Sequence, residues 1–187
     1  EMPKPMDRAF NYPFDPNTVS GLQLWVNLPA NMKMTDPVYR DVREIPKEEF
    51  DFGTLQVLAG NYKGLEGPVR VKSPVDPSYY DLELHGDFRT SFRQGYTVLV
   101  YVVEGEVKVG KDVPPVPAGN LIVFSRSGEE IELSGEGRAI VLAGRPLHEP
   151  IAWYGPIVMN TEEQILEALE DLRRGTFVKK KGIEEEP

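Results

Sequence analysis

The sequence predicts an all-β domain, a barrel or sandwich of many short strands, followed by one C-terminal helix. Three observations carry this. Apolar and polar residues alternate with period two through most of residues 55–144, the pattern of strands that bury one face. Gly-bearing turn signals interrupt the alternation at 104–106, 127–130 and 134–137. The period changes to that of a helix after Thr161.

In chain order, EMPKPMDRAFNYPFDPNTVS (1–20) is rich in Pro and turn formers and offers no strand pattern. GLQLWVNLPA (21–30) then predicts a strand, because Leu22, Leu24, Val26 and Leu28 alternate with Gln23, Trp25 and Asn27. Its N–H and C=O groups need partners that the preceding residues do not provide. Strands follow at LQVLAG (55–60), PVRV (68–71), YDLELHG (80–86), DFRTSF (87–92) and YTVLVYVV (96–103). EVKV (106–109), NLIVF (120–124), EIEL (130–133) and RAIVLAG (138–144) complete the set. Such a series means an all-β sandwich or barrel.

The helix has both ends marked. Thr161 and Gln164 match a capping box, and Glu162 and Glu163 suit the positive end of the helix dipole. Ile165, Leu169 and Leu172, with Leu166 beside them, form an apolar stripe that packs on a sheet. Arg173 and Arg174 lie in the last turn, and Gly175 is a natural terminator. The tail KKKGIEEEP (179–187) reads as a solvated end.

Composition narrows the function. The 187 residues include 30 acidic and 21 basic side chains, a formal charge of −9. That balance argues against nucleic acid or a membrane as the direct partner. No apolar run has transmembrane length, and none resembles a secretory leader. The absence of Cys excludes disulfides, thiolate metal sites and Cys nucleophiles. A cytoplasmic protein is expected, or a nuclear one in a eukaryote. Neither histidine announces a site. His85 shares a strand face with Asp81 and Glu83, opposite Leu82 and Leu84, so it should face solvent. His148 and Glu149 are neighbours in RPLHEP, and neighbours on an extended segment point apart. No Ser sits in a nucleophile elbow, and no Gly-rich phosphate loop is present.

GYTVLVYVVEGEVKVG followed by VPAGNLIVF resembles the two motifs of a cupin barrel. Gly105 matches the last glycine of the first motif, and 117–119 matches the P-x-G of the second. The family's glutamate ligand then falls on Val98. Its first-motif histidines fall near Phe92 and Gln94, or one place earlier, and its second-motif histidine on Ile122. None of these side chains offers an imidazole or carboxylate to a divalent ion. The expected fold is thus an all-β cupin (double-stranded β-helix or jelly-roll) barrel, free of metal, with a C-terminal α-helix.

GLQLWVNLPA with MKMTDPVY, and GRPLHEPIAWYGPIVMNTEEQI far downstream, resemble the pirin family along essentially the whole chain. Pirins are two-barrel cupins whose N-terminal barrel holds one metal, usually iron. The resemblance implies that residues 1–45 are the C-terminal remnant of that first barrel. Residues 46–187 are then the metal-free second barrel plus helix. In pirins the last ligand is the glutamate of H-x-E-M-P, which assigns Glu1 of Glu1-Met2-Pro3 as a metal ligand. The resemblance implies that three histidines of a missing N-terminal part complete the site with Fe(II) or another divalent metal. No metal is expected in the 46–187 barrel. It also implies that an upstream cupin barrel, or another copy of the chain, partners residues 21–30.

Two function classes follow from the resemblance. One is a quercetin 2,3-dioxygenase, in which the metal binds the hydroxyl and keto oxygens of a flavonol and the ring is cleaved with dioxygen. The other is a non-catalytic, iron-dependent protein-binding regulator, with this chain as its structural second barrel. In either class the isolated chain is expected to be inactive.

Overall fold

The computed structural model describes residues 21–110, 113–179 and the backbone of 183–184. These residues form two compact units: 34–148 with 183–184, and 21–33 with 149–179. The first unit begins with β1 (Val38–Tyr39), β2 (Lys47–Phe50), β3 (Gly53–Ala59), β4 (Asn61–Tyr62) and β5 (Leu65–Glu66). It continues with β6 (Ser78–Leu84), β7 (Asp87–Ser91), β8 (Thr97–Val109), β9 (Val116–Pro117), β10 (Leu121–Val123) and β11 (Glu130–Gly144). The second unit holds a 3-10 turn at Ala30–Met32, β12 (Ala152–Tyr154), β13 (Ile157–Met159) and α1 (Glu162–Arg174). Backbone β14 (Ile183–Glu184) pairs in parallel with β1. The expected all-β cupin fold with one C-terminal helix is what the chain forms.

An antiparallel sheet in the order β10-β8-β11-β6-β3-β2 builds the barrel unit, with β7 and β9 added beside β11 and β8. Alternation along these strands decides the core. Leu55 and Val57 on β3, Tyr80, Leu82 and Leu84 on β6, and Val98, Val100 and Val102 on β8 all point inward. Ala139, Val141 and Ala143 on β11 join them. Each fully buried aliphatic side chain of this kind contributes roughly 1.5–3 kcal/mol. Aromatic rings fill part of the same core. Phe52 lies 5.0 Å from Phe50 and 5.0 Å from Phe88, and Tyr62 packs 5.5 Å from Phe88.

Two of the expected turns are bends inside long strands. β8 runs through 104–106 and β11 through 134–137, and the two stay paired there, Gly105 opposite Gly137. Gly105 has a φ of 68°. A Cβ on either glycine would overlap the facing backbone carbonyl, of Glu136 or of Glu104. Glycine serves here to bend two strands at close approach, with a register shift at Arg138/Ala139, and not to reverse the chain. The bend lets β11 exchange neighbours, from β7 over 130–134 to β6 over 137–143. The 127–130 signal does separate two strands, β10 and β11.

Two other expected strands do not form ladders. At 68–71 the backbone donates one bond to another strand, Val69 N–H to Leu58 O at 2.9 Å, beyond Pro68, which has no N–H to donate, and Val71 O accepts only from the nearby Ser73 N–H at 2.8 Å. At 21–29 no ladder partner exists among the described residues. Helix α1 has the ends its sequence specifies. Gln164 N–H donates to Thr161 Oγ1 at 3.3 Å, Thr161 N–H donates to Gln164 Oε1 at 3.1 Å, and Gly175 ends the helix at φ 71°. It packs on the β12–β13 ribbon through buried Ile165, while Leu166 and Leu172 stay exposed. No helix among the described residues is long and apolar enough to cross a membrane.

Candidate functional site

The positions where the cupin motif would place metal ligands are occupied by packing. Val98 is buried in the core, and Ile122, opposite Val100 on β10, packs against that core. Phe92 stacks on Tyr80 with ring centroids 5.9 Å apart, and Gln94 is exposed. Among the described residues, no three His, Cys, Asp or Glu side chains come close enough to hold an ion. An ion at Val98 and Ile122 would face hydrocarbon and lose its solvation. The described residues therefore do not fit a resident metal. Glu1 lies outside the described residues, as do 1–20 and most of the 179–187 tail.

Both histidines are exposed, His148 with a φ of 55°. Around His85, the outward face of β6 is organised by charge pairs. Arg138 grips Asp81 in a two-pronged pair, Nε–Oδ1 2.9 Å and Nη2–Oδ2 2.6 Å, and Lys47 reaches Glu83 at 3.6 Å. The Asp81 hydrogen bond raises the Arg138 guanidinium above its ordinary range. Glu149 has a local structural task. Its Oε2 accepts from Ala30 N–H at 2.7 Å, at the start of the 3-10 turn, and from Asn160 Nδ2 at 3.2 Å.

The second unit presents an apolar opening. Its two stretches come from opposite ends of the chain, and both carry the pirin-like motifs. They meet in an open apolar groove of about 480 Å³ lined by Trp25, Leu28, Ile151, Trp153 and Val158. Trp153 is 72% exposed and Trp25 55%. Trp153 is steadied by its Nε1–H, which donates to Gly155 O at 2.6 Å in the β12–β13 turn. Lys33 also lines the groove, with Nζ donating to Asn27 Oδ1 at 2.6 Å and to Val158 O at 3.0 Å. Burial holds its ammonium below the usual lysine range, and Glu149 acts in the opposite sense. Lys33 is thus tied inside the groove by its own unit. Wide, rigid indole faces left to water are the usual composition of an interaction surface. The alternation of GLQLWVNLPA predicts a strand and carries no sign that it meets Trp153. The only available signal was that both tryptophans lie within family-like motifs 128 residues apart.

Comparison with known proteins bears on the whole chain. Residues 79–178 match the family model described as the Pirin C-terminal cupin domain. A Thermoplasma acidophilum protein named "Putative quercetin 2,3-dioxygenase" is 36% identical over 97% of this chain and 75% of its own length. Pirin of Rattus norvegicus is 34% identical over 82% of this chain and 55% of its own. Among solved structures, quercetin 2,3-dioxygenase from Acinetobacter baumannii superposes with a TM-score of 0.75 at 35% identity. It covers 82% of this chain and 55% of that one. The chain thus spans between about half and three quarters of the length of these proteins.

Proposed function

The chain belongs to the pirin family, and from that premise we propose that it supplies the structural second barrel of a metal-dependent, quercetin 2,3-dioxygenase-type enzyme of the cytoplasm. The observation that supports this most strongly is the Thermoplasma relative, similar over 97% of the chain and bearing that enzyme's name. In this reading the reaction centre lies in an N-terminal cupin barrel. Three imidazoles of that barrel and the carboxylate of Glu1 hold Fe(II) or another divalent metal. The substrate is a flavonol-type molecule. The described residues act by support: the hydrocarbon-filled barrel is a rigid base, and the Trp25–Trp153 groove docks the first barrel beside residues 21–29.

The test is oxygen uptake by the whole protein with quercetin, with and without added Fe(II). Iron-dependent uptake that tracks quercetin loss is expected. Tight iron retention without turnover would overturn the enzyme reading in favour of an iron-dependent protein-binding role. In the same protein, Glu1→Gln keeps the shape and removes the charge, so iron retention should fall about 10-fold or more if Glu1 is a ligand.

A further inference from the structure

Away from the apolar groove, the barrel unit carries an open cleft of about 570 Å³, lined by Pro74, Asp76, Arg93, Gln94, Tyr96 and Arg145. These come from three segments distant in sequence, and the backbone binds them into one frame. Arg145 N–H donates to Val75 O at 2.7 Å, and Asp76 N–H to Ser73 O at 3.2 Å. Tyr96 N–H closes a turn on Arg93 O at 3.1 Å. Gly144 lies against Val75, where a Cβ would come within 3.2 Å of Val75 Cγ1. The Tyr96 hydroxyl then ties the second segment to the first, donating to Asp76 Oδ2 at 2.9 Å.

The charges inside that frame are unbalanced. Asp76 is the cleft's one carboxylate, and both of its contacts use Oδ2: the Tyr96 hydroxyl, and Arg93 Nη1 at the long distance of 3.7 Å. Arg145 has no side-chain partner among the described residues. Two guanidinium forks therefore stand with most of their N–H groups unspent, in a chain whose formal charge is −9. A guanidinium matches the paired oxygens of carboxylate or phosphate, and such charge-assisted bonds are the strong ones. Gln94 adds an exposed amide, and Oδ1 of Asp76 remains free to accept a hydroxyl.

We propose that this cleft binds a small hydroxylated oxyanion, a carboxylate or a phosphate ester. Arg93 and Arg145 hold the charged oxygens, and Asp76 and Gln94 read the polar remainder. The proposal stands or falls independently of the proposed function. Backbone and Arg Nε–H NMR signals of the chain, titrated with inorganic phosphate and then with citrate, provide the test. Saturable shifts are expected at 93–96 and 145. Each single Arg→Ala variant should weaken binding about 10-fold or more. The double R93A/R145A variant should abolish it, with the β8 and β11 amides unmoved. The R93K/R145K variant keeps the charge but loses the fork, so it should bind between these limits. Equal shifts from sodium chloride at matched ionic strength, or undiminished binding by the double Ala variant, would overturn the proposal.

Discussion

The barrel unit and the second unit are made from similar amounts of apolar sequence per residue and use it in opposite ways. In the barrel, period-two alternation turns Leu82, Val100 and Val141 fully inside. In the second unit, only Pro29 and Ile165 are buried among the described residues, while Trp25, Ile151 and Trp153 face water. The barrel satisfies itself. The second unit has the composition of half an interface, and its alternating segment, 21–29, has no ladder among the described residues. Hydrophobic pattern identifies what will be buried; it does not say whether the burying surface belongs to the same fold.

The largest expected effect tests the barrel side of this contrast. Leu82→Ala should cost about 2–5 kcal/mol, read by urea unfolding, because it opens a cavity in a closed core. Trp153→Ala removes a larger side chain yet should change the chain's own stability by only about 0.5 kcal/mol or less. The same variant should weaken association with a first barrel at least 10-fold, since exposed Trp anchors are typical hot spots. A loss of several kcal/mol from Trp153→Ala would erase the distinction between the units.

A smaller effect is expected at the helix. Thr161→Ala removes the acceptor for Gln164 N–H and should destabilise the second unit by about 1 kcal/mol. The smallest is pH-dependent. The Asp171 carboxyl is held below its ordinary range, first by Lys179 Nζ at 2.6 Å and then by Thr176 Oγ1 at 2.7 Å. A depressed carboxyl pKa stabilises the fold above the ordinary carboxylate value and loses that effect as pH falls through the folded one. Protection of the Gly175 and Thr176 amides, taken relative to their intrinsic exchange rates, should therefore fall in acid below about pH 4. Amides in β8 should not follow.

Much of this was legible in the residues. The helix with both caps and the inward faces of the barrel strands follow from local pattern, and the apolar ligand positions at Val98 and Ile122 follow from the resemblance to the cupin motifs. Local pattern failed where geometry is set by a distant neighbour. Gly105 and Gly137 look like turn residues because glycine serves both turns and bends, and only their pairing across β8 and β11 distinguishes the two. Residues 21–29 have the alternation of a strand, but a ladder needs a second backbone. Arg93 and Arg145 lie 52 residues apart, Arg145 inside the family-like GRPLHEP stretch and Arg93 outside any motif, so nothing in the sequence marks them as lining one cleft.

The central claim is that the described barrel is support, and that metal chemistry must come from another barrel. Oxygen uptake decides it directly: excess Fe(II) and quercetin are added to the purified 187-residue chain, and then a separately expressed pirin N-terminal barrel bearing its three histidines. The account predicts no uptake before the second addition and iron-dependent uptake after it. Turnover by the chain alone would contradict it.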